Sequence, residues 1–217
     1  MSYSTILFDL DGTLMDTSEG ILHSIDHAVR EMELPPLSKE QLRSFIGPPI
    51  YIPFQAAYHL SQEMTDRFTQ IFRTVYKNAF LFEAEVYPGM VRLLEDLRDR
   101  GFKTAIATNK REDYTIKLLK HFDLMRLFDV VRGSDFQNQM TKVDIINACF
   151  AHLQPGSLTE AVFIGDTQHD AQAAQKVGVD FIGVTYGFGF NLPEEAISQG
   201  AIDSCRNAEE LASFLLK

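Results

Sequence analysis

A chain of 217 residues can bury a substantial core, as one large domain or two small ones. Its apolar fraction of 45% and charged fraction of 23% are those of an ordinary globular protein, and a formal net charge of −10 without a basic patch argues against a nucleic-acid polymer as partner. No apolar run approaches a membrane span, the first residues lack a signal-peptide pattern, and two widely spaced cysteines, Cys149 and Cys205, suit reduced thiols, so no membrane partner and a cytoplasmic location are expected.

The apolar run Ile6-Leu7-Phe8 reads as a short buried strand and leads directly into Asp9-Leu10-Asp11-Gly12-Thr13. In an open α/β sheet, ligands bind at the C-terminal ends of the strands. Residues i and i+2 of an extended segment point to the same side, so Asp9 and Asp11 place two carboxylates in one crevice. Adjacent anions are hard to keep ionised without a cation. A carboxylate pair at a strand end therefore suits a site that binds Mg²⁺ and attacks phosphorus. Read alone, Asp and Gly are also common turn residues.

From Asp16 to Glu85 the sequence reads as helical throughout, too long to be a structureless loop. Ile21, Ile25, Ala28 and Val29 share one helix face. Leu42, Phe45 and Ile46 suggest a second helix, followed by a Gly47-Pro48-Pro49 turn and the Phe54–Tyr58 segment. A longer helix is predicted over Gln62–Ala79, with Phe68, Ile71, Phe72 and Val75 at helical spacing. His23 and His27, one turn apart, could be a zinc pair, but no third ligand is evident.

Strand-like and helix-like segments alternate from Tyr87 onward, which implies a parallel sheet with helices on both faces. Three of these strands end in chemically useful residues. Thr104–Ala107 runs into Thr108-Asn109-Lys110. Ala161–Ile164 runs into Gly165-Asp166-Thr167, with Asp170 one helical turn further on. Phe181–Val184 runs into Tyr186-Gly187-Phe188-Gly189, read as a plain turn. Lys142 opens a helix-like stretch between the first two.

The series DxDGT, the threonine of Ala107-Thr108-Asn109-Lys110, a lysine, then Gly165-Asp166-Thr167 with Asp170 resembles the haloacid dehalogenase superfamily of phosphohydrolases, over essentially the whole chain. The resemblance implies an α/β fold: a Rossmann-like, doubly wound parallel-sheet core of residues 1–15 and 86–217, with an inserted α-helical cap of residues 16–85. It implies Asp9 as nucleophile and Asp11 as general acid and base. It places Mg²⁺ on Asp9, the backbone carbonyl of Asp11 and Asp166, with Asp170 orienting the ligands. Thr108, Asn109 and Lys142 would hold the phosphoryl group. Thr141-Lys142-Val143-Asp144 lacks the proline that often follows this lysine, and Lys110 competes for its role.

The second aspartate argues against a dehalogenase and against a persistent aspartyl-phosphate. Phe45-Ile46-Gly47-Pro48-Pro49 is similar to a segment of phosphoglycolate-phosphatase-like enzymes, which makes Arg43 and Gly47 candidates for substrate specificity. The expected function is a Mg²⁺-dependent phosphatase acting on a small phosphorylated metabolite, phosphoglycolate first. A pyrophosphatase, a 5'-nucleotidase, a β-phosphoglucomutase-like phosphotransferase and a catalytically idle binding protein remain alternatives. The partner is a small-molecule substrate, and the assembly a monomer or homodimer.

Overall fold

Thr5–Phe8 forms strand β1, and all four residues are buried, as a central parallel strand covered on both faces requires. The structure, a computed structural model, describes residues 3–47, 50–137, 139–153 and 158–217. The chain divides into two compact units, residues 1–16 with 86–217 and residues 17–85. After β1 comes the two-residue strand β2 (Met15–Asp16), and the chain then enters the second unit.

That unit is helical. It comprises α1 (Ser18–Glu31), α2 (Lys39–Ser44), α3 (Tyr51–Tyr58) and α4 (Gln62–Val75). Ile21, Ile25, Ala28 and Val29 are buried along α1, as their spacing predicts. Its aromatic core is Phe45, Phe54 and Phe68, with the Phe54 and Phe68 rings stacked at 3.7 Å between centroids. Two expected helix bounds differ. Phe45 is the C-cap of α2 rather than a residue within it, and it turns its ring toward Phe68 at 6.2 Å. The α4 helix stops at Val75 and passes into a π-helical turn over Tyr76–Phe80, although Tyr76, Ala79 and Phe80 continue the apolar spacing. Gly47 has a positive φ of 106°, while Pro48 and Pro49 of the expected turn lie outside the described residues.

The chain returns through β3 (Glu85–Val86) and continues as α5 (Met90–Asp99), β4 (Lys103–Arg111), α6 (Glu112–His121) and β5 (Val130–Ser134). It ends with α7 (Lys142–Leu153), β6 (Ala161–Gly165), α8 (Gln168–Val177), β7 (Asp180–Val184), α9 (Pro193–Ser198), β8 (Asp203–Cys205) and α10 (Ala208–Leu215). Six strands form one parallel sheet in the order β5-β4-β1-β6-β7-β8. Right-handed crossovers put α5 and α6 on one face and α7, α8 and α9 on the other. Leu7, Ala105 and Phe163 point into the second face, where they pack with Ile145, Ile146 and Cys149 of α7 and Ala171 and Ala174 of α8.

The strand order reverses at β1, the topological switch point of such a sheet. Phe8 pairs in register with Ile106 of β4 and Ile164 of β6. Asp9, Thr108 and Asp166 therefore emerge within two residues of one level on three adjacent strands. This is a mostly parallel α/β sheet with flanking helices, the doubly wound class expected from the alternation of elements.

Leu7 is fully buried on the central strand, so Leu7→Ala is expected to cost about 2–5 kcal/mol, read from the urea midpoint at unchanged m. Ile197→Ala, at a position 48% exposed, should move that midpoint by less than about 1 kcal/mol.

Candidate active site

Asp9 still belongs to the sheet, since its N–H donates to the Ile164 carbonyl at 2.8 Å. The chain then winds tightly. The Leu10 carbonyl accepts from the amides of Leu14 (2.9 Å) and Met15 (3.0 Å), and Gly12 N–H donates to the Met15 carbonyl (2.8 Å). Gly12 has φ of 80°, and a Cβ there would collide with the Asp166 carboxylate. Glycine thus meets both a conformational and a spatial demand. The turn delivers Thr13 Oγ1 to 3.4 Å from Asp166 Oδ1.

Three carboxylates converge behind this turn. Asp9, Asp166 and Asp170 are buried, and one oxygen from each lies within 4.8 Å of the others. Lys142 joins them from the start of α7: its Nζ donates to Asp9 Oδ1 at 2.7 Å and lies 2.9 Å from Asp170 Oδ1. A reciprocal cap fixes that start. Asp144 Oδ2 accepts from Thr141 N–H (2.9 Å) and Oγ1 (2.6 Å), and Asp144 N–H donates back to Thr141 Oγ1. The capping pair does here what a proline after the lysine would do, setting the first turn of the helix.

A buried cluster with excess negative charge holds its protons tightly. Burial pushes Asp9 up to about 6, with Asp170 and Asp11 adding to the rise and Lys142 opposing it. Burial also raises Asp166 well above the carboxylate range, reinforced by Asp170 and Asp9. Burial pulls Lys142 down, but the Asp170 and Asp9 charges outweigh it, so the ammonium stays protonated.

Hard oxygen donors in such a cluster suit a hard divalent cation. Asp170 has both oxygens engaged. Its Oδ1 meets Lys142, and its Oδ2 accepts from Thr167 N–H (3.1 Å) and Oγ1 (2.6 Å) in the capping box of α8. Asp9, Asp166 and Asp170 together form a donor set that could hold such an ion, and Asp170 also holds Lys142 and the helix start.

At the end of β4 the pairing with β5 slips between Ala107 and Arg111. Thr108 is buried there, its Oγ1 accepting from Lys110 N–H at 3.2 Å, and Asn109 is half-buried beside it. Lys110 Nζ contacts both oxygens of Asp11, at 2.8 and 3.1 Å. The two competing lysines thus stand on different aspartates, Lys142 on Asp9 and Lys110 on Asp11. Arg43 and Gly47 are exposed residues of the helical unit, Arg43 in the last turn of α2. His23 and His27 meet separate carboxylates, Glu83 and Glu31, rather than one centre.

Sequence reasoning passed over the turn after β7. Asp166 Oδ2 accepts from Phe188 N–H at 2.7 Å and Gly189 N–H at 3.3 Å. The available signal was the alternation Gly187-Phe188-Gly189 directly after a strand, a pattern that lets backbone approach a neighbour closely.

Residues 6–184 match the family model of haloacid dehalogenase-like hydrolases. A 5'-nucleotidase of Pseudomonas aeruginosa is 32% identical over 189 residues, covering 87% of this chain and 86% of its own. Phosphoglycolate phosphatase 1 of the same organism is 31% identical over 225 residues, covering 97% and 82%. The crystal structure of a predicted phosphatase from Clostridium acetobutylicum superposes with a TM-score of 0.90 at 34% identity, covering 100% of this chain and 99% of that one. The chain belongs to the haloacid dehalogenase-like hydrolase family.

Lys142 is the cation of a buried acidic cluster, so Lys142→Met is expected to destabilise the protein by about 3–5 kcal/mol in EDTA. Urea unfolding with and without Mg²⁺ checks this, and the added ion should recover more stability in the variant than in the wild type.

Proposed function

We propose that this protein is a Mg²⁺-dependent phosphatase that hydrolyses a small phosphorylated metabolite through an aspartyl-phosphate on Asp9, with phosphoglycolate the first candidate. The observation that carries the reading is Asp9 itself. It sits at the end of the central strand, held by Lys142 at 2.7 Å, with Asp166 beside it and Asp11 two residues on.

A carboxylate oxygen of Asp9 attacks phosphorus, and the bond to the leaving alkoxide breaks. Asp11 gives that alkoxide its proton, then takes one from the water that attacks the aspartyl-phosphate and releases inorganic phosphate. A general acid that also serves as base makes the second step fast, as hydrolysis requires. Thr108, the Asn109 amide and Lys142 hold the phosphoryl oxygens and favour the charge that develops on them. Lys110, now on Asp11, orients that carboxylate. Asp9, the Asp11 carbonyl and Asp166 would hold Mg²⁺, which would supply charge neutralisation on the phosphoryl group.

The helical unit of residues 17–85 is read as a cap that meets the leaving group, with Arg43 and Gly47 its specificity residues. The likeness to the Pseudomonas phosphoglycolate phosphatase supports a carboxylated leaving group. The likeness to the 5'-nucleotidase supports a nucleoside monophosphate as the second candidate. A panel of phosphorylated metabolites ranked by kcat/KM separates the two.

Asp9→Asn keeps the shape of the side chain and removes the nucleophile, so kcat should fall by about 10³-fold or more in a protein that still folds, read from a cooperative urea transition. Activity above that level in protein free of wild type would refute the assignment. EDTA should abolish turnover of p-nitrophenyl phosphate, and Mg²⁺ should restore it. Arg43→Ala should lower kcat/KM for phosphoglycolate by roughly tenfold or more, the worth of one charge-assisted hydrogen bond, while p-nitrophenyl phosphate hydrolysis stays unchanged.

A further inference from the structure

We propose that the turn Tyr186–Gly189 is the positioning element of the metal site, and that the Tyr186 hydroxyl, by anchoring the Thr13 carbonyl, fixes the aim of the Asp166 carboxylate. The inference rests on the Mg²⁺-dependent reading above.

The turn grips Asp166 from two sides. Its amides at Phe188 and Gly189 donate to Oδ2, at 2.7 and 3.3 Å. The next residue, Phe190, donates its N–H to the Asp166 main-chain carbonyl at 2.8 Å. With Oδ2 bound in this way, Oδ1 is the oxygen turned toward Thr13.

A second arm reaches the loop that carries Asp11. Tyr186 Oη donates to the Thr13 carbonyl at 2.9 Å. Its ring meets Tyr87 edge-on at 4.7 Å between centroids. Gly187 lies between the two arms, and a Cβ there would strike both the Gly12 carbonyl and the Asp166 side chain. One turn, issuing from β7, therefore ties together the loop after β1 and the residue after β6.

The physical consequence is preorganisation. A carboxylate free to rotate about its Cα–Cβ and Cβ–Cγ bonds loses entropy when it binds an ion. One already held by two amides, against a loop that cannot withdraw, loses less. Groups of this supporting kind are worth about 10–100-fold in metal affinity. A tyrosine that only packed would do its work through the ring, and phenylalanine would replace it without loss.

The test uses Mn²⁺ as the probe, with free ion followed by electron paramagnetic resonance, so binding is read without turnover. The full-length wild type, Tyr186→Phe and Tyr3→Phe are compared. Tyr3 donates to Asp180 Oδ2 at 2.8 Å at the other end of β7, so Tyr3→Phe removes an equivalent tyrosine bond away from the site. Tyr186→Phe is expected to raise the Mn²⁺ Kd by about tenfold, and to leave KM for p-nitrophenyl phosphate unchanged at saturating Mg²⁺. Tyr3→Phe should bind Mn²⁺ as the wild type does. A Tyr186→Phe Kd equal to wild type overturns the inference, and so does an equal loss in Tyr3→Phe, which would mark general loosening. Failure of the wild type itself to bind Mn²⁺ overturns the Mg²⁺-dependent reading, and this inference with it.

Discussion

Like charges crowded together at the end of the central strand set the terms for the rest of the molecule. Asp9, Asp11, Asp166 and Asp170 gather at one edge of the sheet, and two lysines stand among them, Lys142 on Asp9 and Lys110 on Asp11. Four carboxylates against two ammonium groups leave two negative charges, the amount a divalent cation neutralises. Without one, the cluster holds protons: burial lifts Asp9 to about 6, and the charges of Asp170 and Asp11 add to the rise. The same repulsion explains the hydrogen bonds around the site. Amides of Phe188 and Gly189, the hydroxyls of Thr13 and Thr167 and the helix start of α8 all present donors to an acid. Each makes charge tolerable that the fold would otherwise expel.

Bringing these acids together is a task for topology rather than local sequence. Asp9 and Asp166 are far apart in the chain, yet β1 and β6 lie side by side in register. Parallel pairing guarantees that both strands end at the same edge, and the reversal of strand order at β1 opens a gap between the flanking helices there. Helix starts complete the arrangement. Both α7 and α8 begin at that edge with a threonine–aspartate cap, and those caps aim Lys142 and Asp170 inward.

How much of this could be read beforehand depended on where the signal lay. Side chains at strand ends announce themselves, because Ile6-Leu7-Phe8 followed by two aspartates is a composition change at a fixed place. Asp9 and Asp166 were legible in that way, whereas Asp170 and Lys142, on helix starts, stood out only through the order of motifs shared with the family, with Lys110 left as a competitor. Two kinds of feature were not. The Phe188 and Gly189 donors are main-chain amides, and any residue carries one, so only the flanking glycines hinted at them. The partner of Lys110 is set by rotamer and by the slip in β4–β5 pairing, neither of which periodicity encodes. The end of α4 at Val75 belongs with these, since Tyr76, Ala79 and Phe80 carry the apolar repeat on and a π turn leaves no pattern of its own.

The opposite edge of the sheet is under no such demand. The turns before β4, β7 and β8 pass through Gly101, Gly178 and Gly200, all with positive φ, and the space where a Cβ would stand is open at each. None of the charged groups of the site lies at that edge. The molecule therefore has one edge frozen by electrostatics and another free to drift. The unit of residues 17–85 is inserted at the first edge, directly after the loop that carries Asp11, whereas the second edge has room for longer loops and new chain termini that leave the chemistry untouched.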